Sequence, residues 1–380
     1  MDFTLNTSQR LAQDMFRRFA ETEIAPIARE MDETEAFSMD LVAKMQRQGF
    51  FGIPYPQKYG GSGADTMTYV LCMEEVSKAD ASTGITISVH TSLCCACIHD
   101  HGTEEQKETF LRPLVDGRKV GCFSLTEPNA GSDAGGLQTS AVPDGDDYII
   151  NGAKVFTTNA GFADVFIVFA VTDKAMGSDG ISAFIIERNT PGLSVGANIP
   201  RMGIRAASNC EVSFANMRIP AKNRLRGEGK GFEIAMRALD GGRIGIGAQA
   251  VGIAQGALNE AIRYVKERKQ FGRPINAFQN TRFKLAEMQT KVDAARLMVW
   301  NAATMKDRKE DYAAAAAMCK LFASDTANDV TRGCVQLLGG YGYSREYPVE
   351  RMMRDAKITE IYEGTSEIMK MVIFGSLKAK

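Results

Sequence analysis

The stretch Asp144-Gly145-Asp146-Asp147-Tyr148-Ile149-Ile150-Asn151-Gly152 decides how the rest of the chain divides. Its Asp-Gly and Asn-Gly pairs read as hairpin turns around a strand at Tyr148-Ile149-Ile150, because tight hairpin turns need positive φ and these pairs supply it. Outward from it, over residues 120–220, short β-branched and aromatic runs at 121–125, 165–171, 181–186 and 211–214 alternate with turn signals. No long helical pattern interrupts them. Residues 120–228 therefore predict a compact, antiparallel, barrel-like β domain and not a series of βαβ units.

Both flanks are helical. Before the β region, Leu11, Met15, Phe16, Phe19 and Ile24 recur at a spacing near 3.6, and Pro26 is expected to close that helix. Leu41, Val42 and Met45 form a second set that stops at Gly49. A Gly/Pro-rich loop follows through Gly63, and helical spacing returns at Tyr69, Met73 and Val76 and over 104–114. This predicts an N-terminal α-helical domain over 1–119. After Gly229, helical patterns over 248–269, 276–305 and 312–338 are long enough for a C-terminal four-helix bundle over 229–380, with a short element after Gly364. The class is α+β, in the order α, β, α.

Composition narrows the function. The 380 residues carry 45 Lys and Arg against 46 Asp and Glu, a net charge of -1, with 44% hydrophobic and 24% charged residues. That predicts a folded globular chain and argues against a nucleic-acid binder, which needs a basic face. The apolar runs at 165–171 and 312–319 are among the longest, and each falls far short of the roughly 18 residues of a membrane span. Met1-Asp2-Phe3-Thr4 opens no signal peptide and Lys378-Ala379-Lys380 is not a peroxisomal address, so the expected location is cytoplasmic. Eight cysteines without framework spacing fit that compartment.

Several clusters admit chemistry. Cys95 and His99, and Cys97 and His101, are four apart, which a metal site on a helix could use. The other reading is that Cys94, Cys95 and Cys97 pack a helix core, and the lack of C-x-x-C spacing or a second ligand pair favours it, so no metal is assigned. Gly245-x-Gly247-x-x-Ala250 imitates a dinucleotide fingerprint but lacks a preceding strand; small residues bringing helices together is the better reading. Arg263, Lys266, Arg268, Lys269 and Arg273 form either a solvated helix face or a cationic site for an anionic ligand. The loop Thr126 to Asp133 follows a strand and offers N–H groups and hydroxyls, an arrangement that suits a phosphate or a heteroaromatic edge. Glu363 precedes Gly364 and a helix that Thr365 can cap. It is either a solvated glutamate or a carboxylate held by Ile361 and Tyr362, whose pKa would rise as water is excluded, as a general base requires.

Five motifs in order, Cys122-Phe-Ser-Leu-Thr-Glu-Pro-Asn-Ala-Gly-Ser-Asp133, Lys154-Val-Phe-Thr-Thr-Asn159, Glu267-Arg-Lys-Gln-Phe-Gly272, Gln336-Leu-Leu-Gly-Gly340 and Arg354-Asp-Ala-Lys-Ile-Thr-Glu-Ile-Tyr-Glu-Gly-Thr-Ser-Glu367, span nearly the whole chain. Together they resemble the acyl-CoA dehydrogenase family, most of all its bacterial short-chain, butyryl-CoA type. The resemblance implies FAD between the β and C-terminal domains, a homotetramer in which a neighbour holds part of each FAD, and an electron-transfer flavoprotein as electron partner. By motif match, Phe123, Leu125, Thr126 and Ser132 would line the flavin or the pantetheine of CoA. Phe156, Thr157 and Thr158 would pack on and hydrogen-bond the flavin. Arg268, Phe271, Gln279, Gln336, Gly339 and Gly340 would reach the FAD of a partner subunit, and Thr365 and Glu367 would contact FAD. Ser132, Asp240, Arg243 and Gly364 would face the acyl-CoA substrate.

The implied reaction is α,β-dehydrogenation of an acyl-CoA thioester. Glu363 removes the α-proton, a hydride leaves the β-carbon for flavin N5, and backbone and ribityl donors stabilise the enolate oxygen. The net flux could also run as crotonyl-CoA reduction. Phe156 stands where many relatives carry Trp. Gly242 stands where the isovaleryl and long-chain branches place their base, which disfavours those branches. No Arg or Lys lies in 79–92, so a dicarboxylate substrate is disfavoured too. Branched-chain or aryl-propanoyl-CoA remains an alternative substrate, and a helical interaction protein that keeps the scaffold is the non-enzyme alternative.

Overall fold

The Asp144-Gly145 pair does turn a hairpin. In a computed structural model, which describes residues 3–378, Ser140–Asp144 (β2) and Asp147–Thr158 (β3) pair antiparallel, with Asp144 opposite Asp147. Asn151-Gly152 does not turn. β3 runs straight through it, and the pairing of β3 with the later strand Asn209–Pro220 slips between Ile150 and Gly152. The extra residue of this β-bulge lies on the partner, where Phe214 to Met217 takes three steps against two from Ile150 to Gly152 and Asn216 adopts a φ of +47°, and β3 passes the bulge without ending. A turn residue pair does not by itself separate a hairpin from a bulge.

The remaining strands are Gly121–Ser124 (β1), Val165–Val171 (β4), Ile181–Glu187 (β5), Leu193–Asn198 (β6), Asn209–Pro220 (β7) and Arg224–Leu225 (β8). The sheet order is β6-β7-β3-β2-β4-β5-β8, with β1 also on β4. Most pairs are antiparallel, as expected, but β1 runs parallel to β4 because the chain reaches β4 only after passing through β2 and β3. β4 is buried on both faces. Val165, Ile167 and Phe169 enter the large core shared with the helices, while Phe166, Val168 and Ala170 enter a second core within the β region. Period-two alternation thus joins two cores through one strand.

Helices precede and follow the β region along the chain. Thr7–Phe19 does not stop at Pro26. A π turn over Ala20–Ile24 leads into Ala25–Thr34, where Pro26 sits in the first turn. Proline lacks an N–H, and the first turn of a helix is where that donor is not needed. Met39–Arg47 and Thr66–Ala79 follow. Ala81–His101 is 21 residues long with a mean hydropathy of 1.4, long and apolar enough to cross a membrane, yet its apolar window is 94% buried inside the protein. Its interleaved Ser, Thr and Cys hid that length from a search for unbroken apolar runs. The C-terminal region holds helices Gly231–Glu267, Gln279–Asp307, Ala313–Leu338, Val349–Ile358 and Ser366–Lys378. The first is central and tightly flanked. A Cβ on Gly252 or Gly256 would come 2.5 Å from the carbonyl of Glu74 or Lys78, so its small residues do bring helices together. The terminal residues Met1-Asp2 and Ala379-Lys380, on which two readings of chain ends rested, lie outside the described residues.

Candidate functional site

Glu363 sits in the short connection between Val349–Ile358 and Ser366–Lys378. Its own φ is +51° and that of Gly364 is +101°, so two successive residues adopt left-handed backbone. Only the second is a glycine, and strain of this kind at Glu363 persists where the surroundings over-determine it. The turn carries the carboxylate back over the central helix. A Cβ on Gly242 would lie 2.1 Å from Glu363 Oε2 and 3.0 Å from Leu93 Cδ2. Gly242 is therefore the floor beneath the carboxylate.

Both Glu363 oxygens are buried with no hydrogen-bond partner. Burial pushes the carboxyl up to about 8, against the pull of Arg243 and Lys320. The expected rise is present, but its source differs from the expectation. Ile361 is 48% exposed and does not cover the site; Leu93, Gly242 and the flanking helices do. Tyr362 is tied instead by its hydroxyl to Gln249 Oε1, and Gln249 Nε2 donates to the Ala81 carbonyl at 2.8 Å. The Glu363 backbone N–H has no partner among the described residues.

The central helix supplies Asp240 and Arg243, one turn apart on either side of Gly242. Arg243 Nη1 donates to Asp240 Oδ1 at 2.6 Å and its Nε to the Glu363 carbonyl at 3.3 Å. Asp240 is raised by burial, against the pull of Arg243. Thr365 Oγ1 accepts from the Ile368 N–H at 3.3 Å and caps the last helix as expected. Glu367 is exposed, and its own N–H and the Thr365 hydroxyl hold it below the usual range. Glu363, Gly364, Asp240 and Arg243 are thus brought together.

The β-domain residues form a second group. Phe123 is half-buried, its ring 4.9 Å from that of Phe169. Leu125 is buried and Ser132 is exposed. The Thr126 carbonyl accepts from the Val155 N–H at 2.9 Å, which fastens this loop beside Phe156, Thr157 and Thr158. The loop itself is less open than its composition suggests. Glu127 and Ala130 exchange two backbone bonds of 3.1 Å, and the Glu127 side chain turns inward. Phe156 is 58% exposed at φ +58°. Thr157 Oγ1 is buried without a partner, while Thr158 Oγ1 accepts from Asn209 Nδ2 at 3.1 Å.

A third group lies apart. Arg268, Gly339 and Gly340 line a cavity of about 590 Å³ with Tyr264 and Tyr341. Phe271, at 93% exposure, tips a hairpin between Lys269–Gln270 and Arg273–Pro274, and Gln279 and Gln336 are exposed nearby in sequence. The central helix ends at Glu267, so Arg268, Lys269 and Arg273 do not continue a helix face. The Cys94 cluster falls to its packing reading: Cys95 Sγ meets His90 Nε2 at 3.3 Å, and His99 Nδ1 lies 2.6 Å from Asp100. Cys97 and His101 do lie one turn apart on the helix Ala96–His101, but the Cys97 thiol is fully buried in the core while His101 is half-buried. Sequence reasoning also missed Lys320, a fully buried lysine whose Nζ donates to the Gly364 carbonyl at 2.7 Å. A lysine inside an alanine-rich helix gives no signal beyond its place on the buried face.

Family models cover the chain from end to end: the acyl-CoA dehydrogenase N-terminal domain matches residues 6–118, the middle domain 122–217 and the C-terminal domain 229–377. The chain belongs to the acyl-CoA dehydrogenase family. It is 54% identical to the short-chain specific acyl-CoA dehydrogenase of Clostridium acetobutylicum, over 99% of this chain and 100% of that one. The structure of butyryl-CoA dehydrogenase from Megasphaera elsdenii superposes with a TM-score of 0.98 at 48% identity, covering 100% of both chains. A chain from a study of the electron transferring flavoprotein of Acidaminococcus fermentans gives 0.99 at 49% identity, again over 100% of both.

As an acyl-CoA dehydrogenase, the protein is a flavin-dependent oxidoreductase, and its cofactor is FAD. The residues present fit that group. Phe156 holds an apolar ring in solvent from a left-handed backbone that core packing does not require, and beside it Thr157 leaves a buried hydroxyl unpartnered. An aromatic face stacked on it would offset both the exposure and the strain.

Proposed function

We propose that this acyl-CoA dehydrogenase interconverts butyryl-CoA and crotonyl-CoA, or close short-chain homologues, with Glu363 as the base that removes the α-proton. One observation carries the reading: a carboxylate buried without a hydrogen-bond partner, aimed over Gly242 of the central helix, where any side chain would collide with it. A base must be desolvated enough to accept a proton near neutral pH, and burial does this to Glu363. Arg243 and Lys320 then keep the ionised form accessible.

The α-proton passes to a Glu363 oxygen. The negative charge that develops on the thioester oxygen needs a donor, and the unpartnered N–H of Glu363 is suited to it. Asp240 and Arg243 orient the substrate side, with Gly364 beside the thioester and Ser132 toward the pantetheine. FAD, when bound, supplies at N5 the acceptor for the hydride leaving the β-carbon, and a ribityl hydroxyl as a second donor. Phe123, Leu125, Thr126, Ser132, Phe156, Thr157 and Thr158 would hold it from the β side, and Thr365 and Glu367 from the last helix. Arg268, Phe271, Gln279, Gln336, Gly339 and Gly340 would meet the FAD of a partner subunit in a homotetramer; the exposure of all six supports a surface that is completed by another chain. An electron-transfer flavoprotein as redox partner, a cytoplasmic location and domain limits at 119/120 and 228/229 belong to the same proposal.

Purified protein should be yellow, and butyryl-CoA should bleach it under anaerobic conditions. A panel of straight, branched and aryl-propanoyl thioesters, ranked by kcat/KM, separates the short-chain reading from its alternatives. Absence of bleaching with every short-chain thioester would overturn it.

A further inference from the structure

The search for unused buried charge leads to Lys320. Its side chain lies on the inward face of Ala313–Leu338 and is 0% exposed. A buried ammonium is costly unless it is paired, and lysine carries three donors. Lys320 makes one hydrogen bond, to the Gly364 carbonyl at 2.7 Å, and no ion pair within 4 Å among the described residues. If holding a carbonyl were its whole task, a neutral donor would do the same without the cost of burying charge. The acid nearest in effect is Glu363, the chief influence opposing burial at Lys320.

The other cation near Glu363 differs. Arg243 is paired with Asp240 at 2.6 Å, so much of its charge is already answered. Around the carboxylate stand Arg243 and Asp240 from the central helix, Tyr69 from Thr66–Ala79, Tyr362 from its own segment and Lys320 from Ala313–Leu338; Glu360 and Asp325 also act on Lys320. Glu360 is itself paired with Lys357 at 2.5 Å. Lys320 is the cation of this set without a salt-bridge partner.

Its hydrogen bond also has a consequence for geometry. Gly364 is the second residue of the left-handed pair, and its carbonyl belongs to the Gly364–Thr365 peptide by which the chain leaves that turn. Anchoring that oxygen holds the turn which carries the carboxylate over Gly242.

We propose that Lys320 is a positioning residue for Glu363: its ammonium anchors the Gly364 carbonyl, sets the aim of the carboxylate over Gly242 and supplies the uncompensated positive charge that favours its ionised form. The inference rests on Glu363 being the base. Two variants divide its parts. Lys320→Gln removes the charge and keeps a donor, while Lys320→Met removes both.

The holoenzymes are compared by the pH dependence of butyryl-CoA turnover and by isotope-edited infrared titration of the Glu363 carboxyl, identified by its disappearance in Glu363→Gln. Loss of a nearby cation disfavours the charged form, so the midpoint of both titrations should move up by about one pH unit in both variants. Turnover lost at neutral pH should return at higher pH in Lys320→Gln, and return less completely in Lys320→Met. An unmoved midpoint with a uniformly lower plateau, or failure of both variants to fold and retain FAD, would assign Lys320 a purely structural role and overturn the proposal. Failure of the underlying reading looks different: Glu363→Gln would then retain turnover.

Discussion

Glu127 and Glu363 both carry their carboxylates into the protein, and the structure treats them in opposite ways. Glu127 accepts from the Gln138 N–H at 2.6 Å, the Thr139 N–H at 2.9 Å and Lys154 Nζ at 2.7 Å. Burial raises its carboxyl, but Lys154 and the two donors outweigh burial and hold it below the usual range. Glu363 has the same side chain with its carboxylate set deeper, and nothing donates to it, so burial prevails to about 8. Hydrogen bonds to the charged form, not burial alone, decide whether a carboxylate becomes a fixed anion or a base. Glu127 has become a strut: with Lys154, which also bonds the Leu125 carbonyl at 3.0 Å, it locks the 126–133 loop to β3. Glu363 keeps its lone pairs free.

The largest test of the contrast is catalytic. Glu363→Gln preserves shape and removes the base, so turnover should fall by about 10²–10⁴-fold, the usual contribution of a positioned base. Glu127→Gln, also isosteric, should leave any correctly folded fraction within about tenfold of the parent. Steady-state kinetics with butyryl-CoA reads both. Comparable losses in the two variants would erase the distinction between strut and base.

The next test reverses the observable. Lys154→Met leaves the Glu127 charge buried without its cation, a change that costs about 3–5 kcal/mol of stability. The double variant Lys154→Met with Glu127→Gln should recover part of it, because no uncompensated charge remains. Denaturant unfolding of the holoenzyme measures both; a single variant as stable as the parent would mean that Glu127 is not held by the pair.

The two glutamates also mark how far the sequence could be read. Glu363 was legible because its neighbours are contiguous: a glycine to turn the chain, a capping threonine and a family motif all lie within a few residues. The α–β–α order was legible for the same reason, since helical and strand periods are local. Glu127 sits inside a quoted motif, yet its task depends on Lys154, 27 residues away on another strand. Lys320 is 44 residues from the carbonyl it holds. The floor beneath Glu363 is the absence of a side chain at Gly242, which the resemblance marked as a position without a base but not as the surface under one. Asn151-Gly152 and Pro26 misled for a related reason. Each carries a local preference that two different structures satisfy, hairpin or bulge, helix end or first turn, and long-range pairing chose between them.

The smallest effect is a pH dependence, and it reads Glu363 together with the cation coupled to it. A carboxyl whose folded pKa is raised binds its proton more tightly in the native than in the unfolded chain. Its stabilising contribution is therefore complete below the unfolded value of 4.5 and is lost as pH rises through about 8. Asp355 is also raised by burial, to about 7, and would distort the curve of the parent protein taken alone. It is present in Glu363→Gln as well, so it cancels in the difference between the two. Lys154, lowered by burial to about 8, titrates chiefly above this window, between its folded value and 10.5. Lys320 is lowered by burial and held at about 8 by Glu363, so it falls further in Glu363→Gln and adds to the variant's gain with the same sign. Glu363→Gln should thus gain stability relative to the parent as pH rises from about 6 to 8, by about 2 kcal/mol at 1.4 kcal/mol per pKa unit. Glu127→Gln should show no such gain, because a carboxyl held low in the folded state has already contributed its full stability above about pH 5. Urea unfolding at a series of pH values checks both slopes. A flat difference for Glu363→Gln would mean that its carboxyl is not held protonated by burial, and the two glutamates would then be alike.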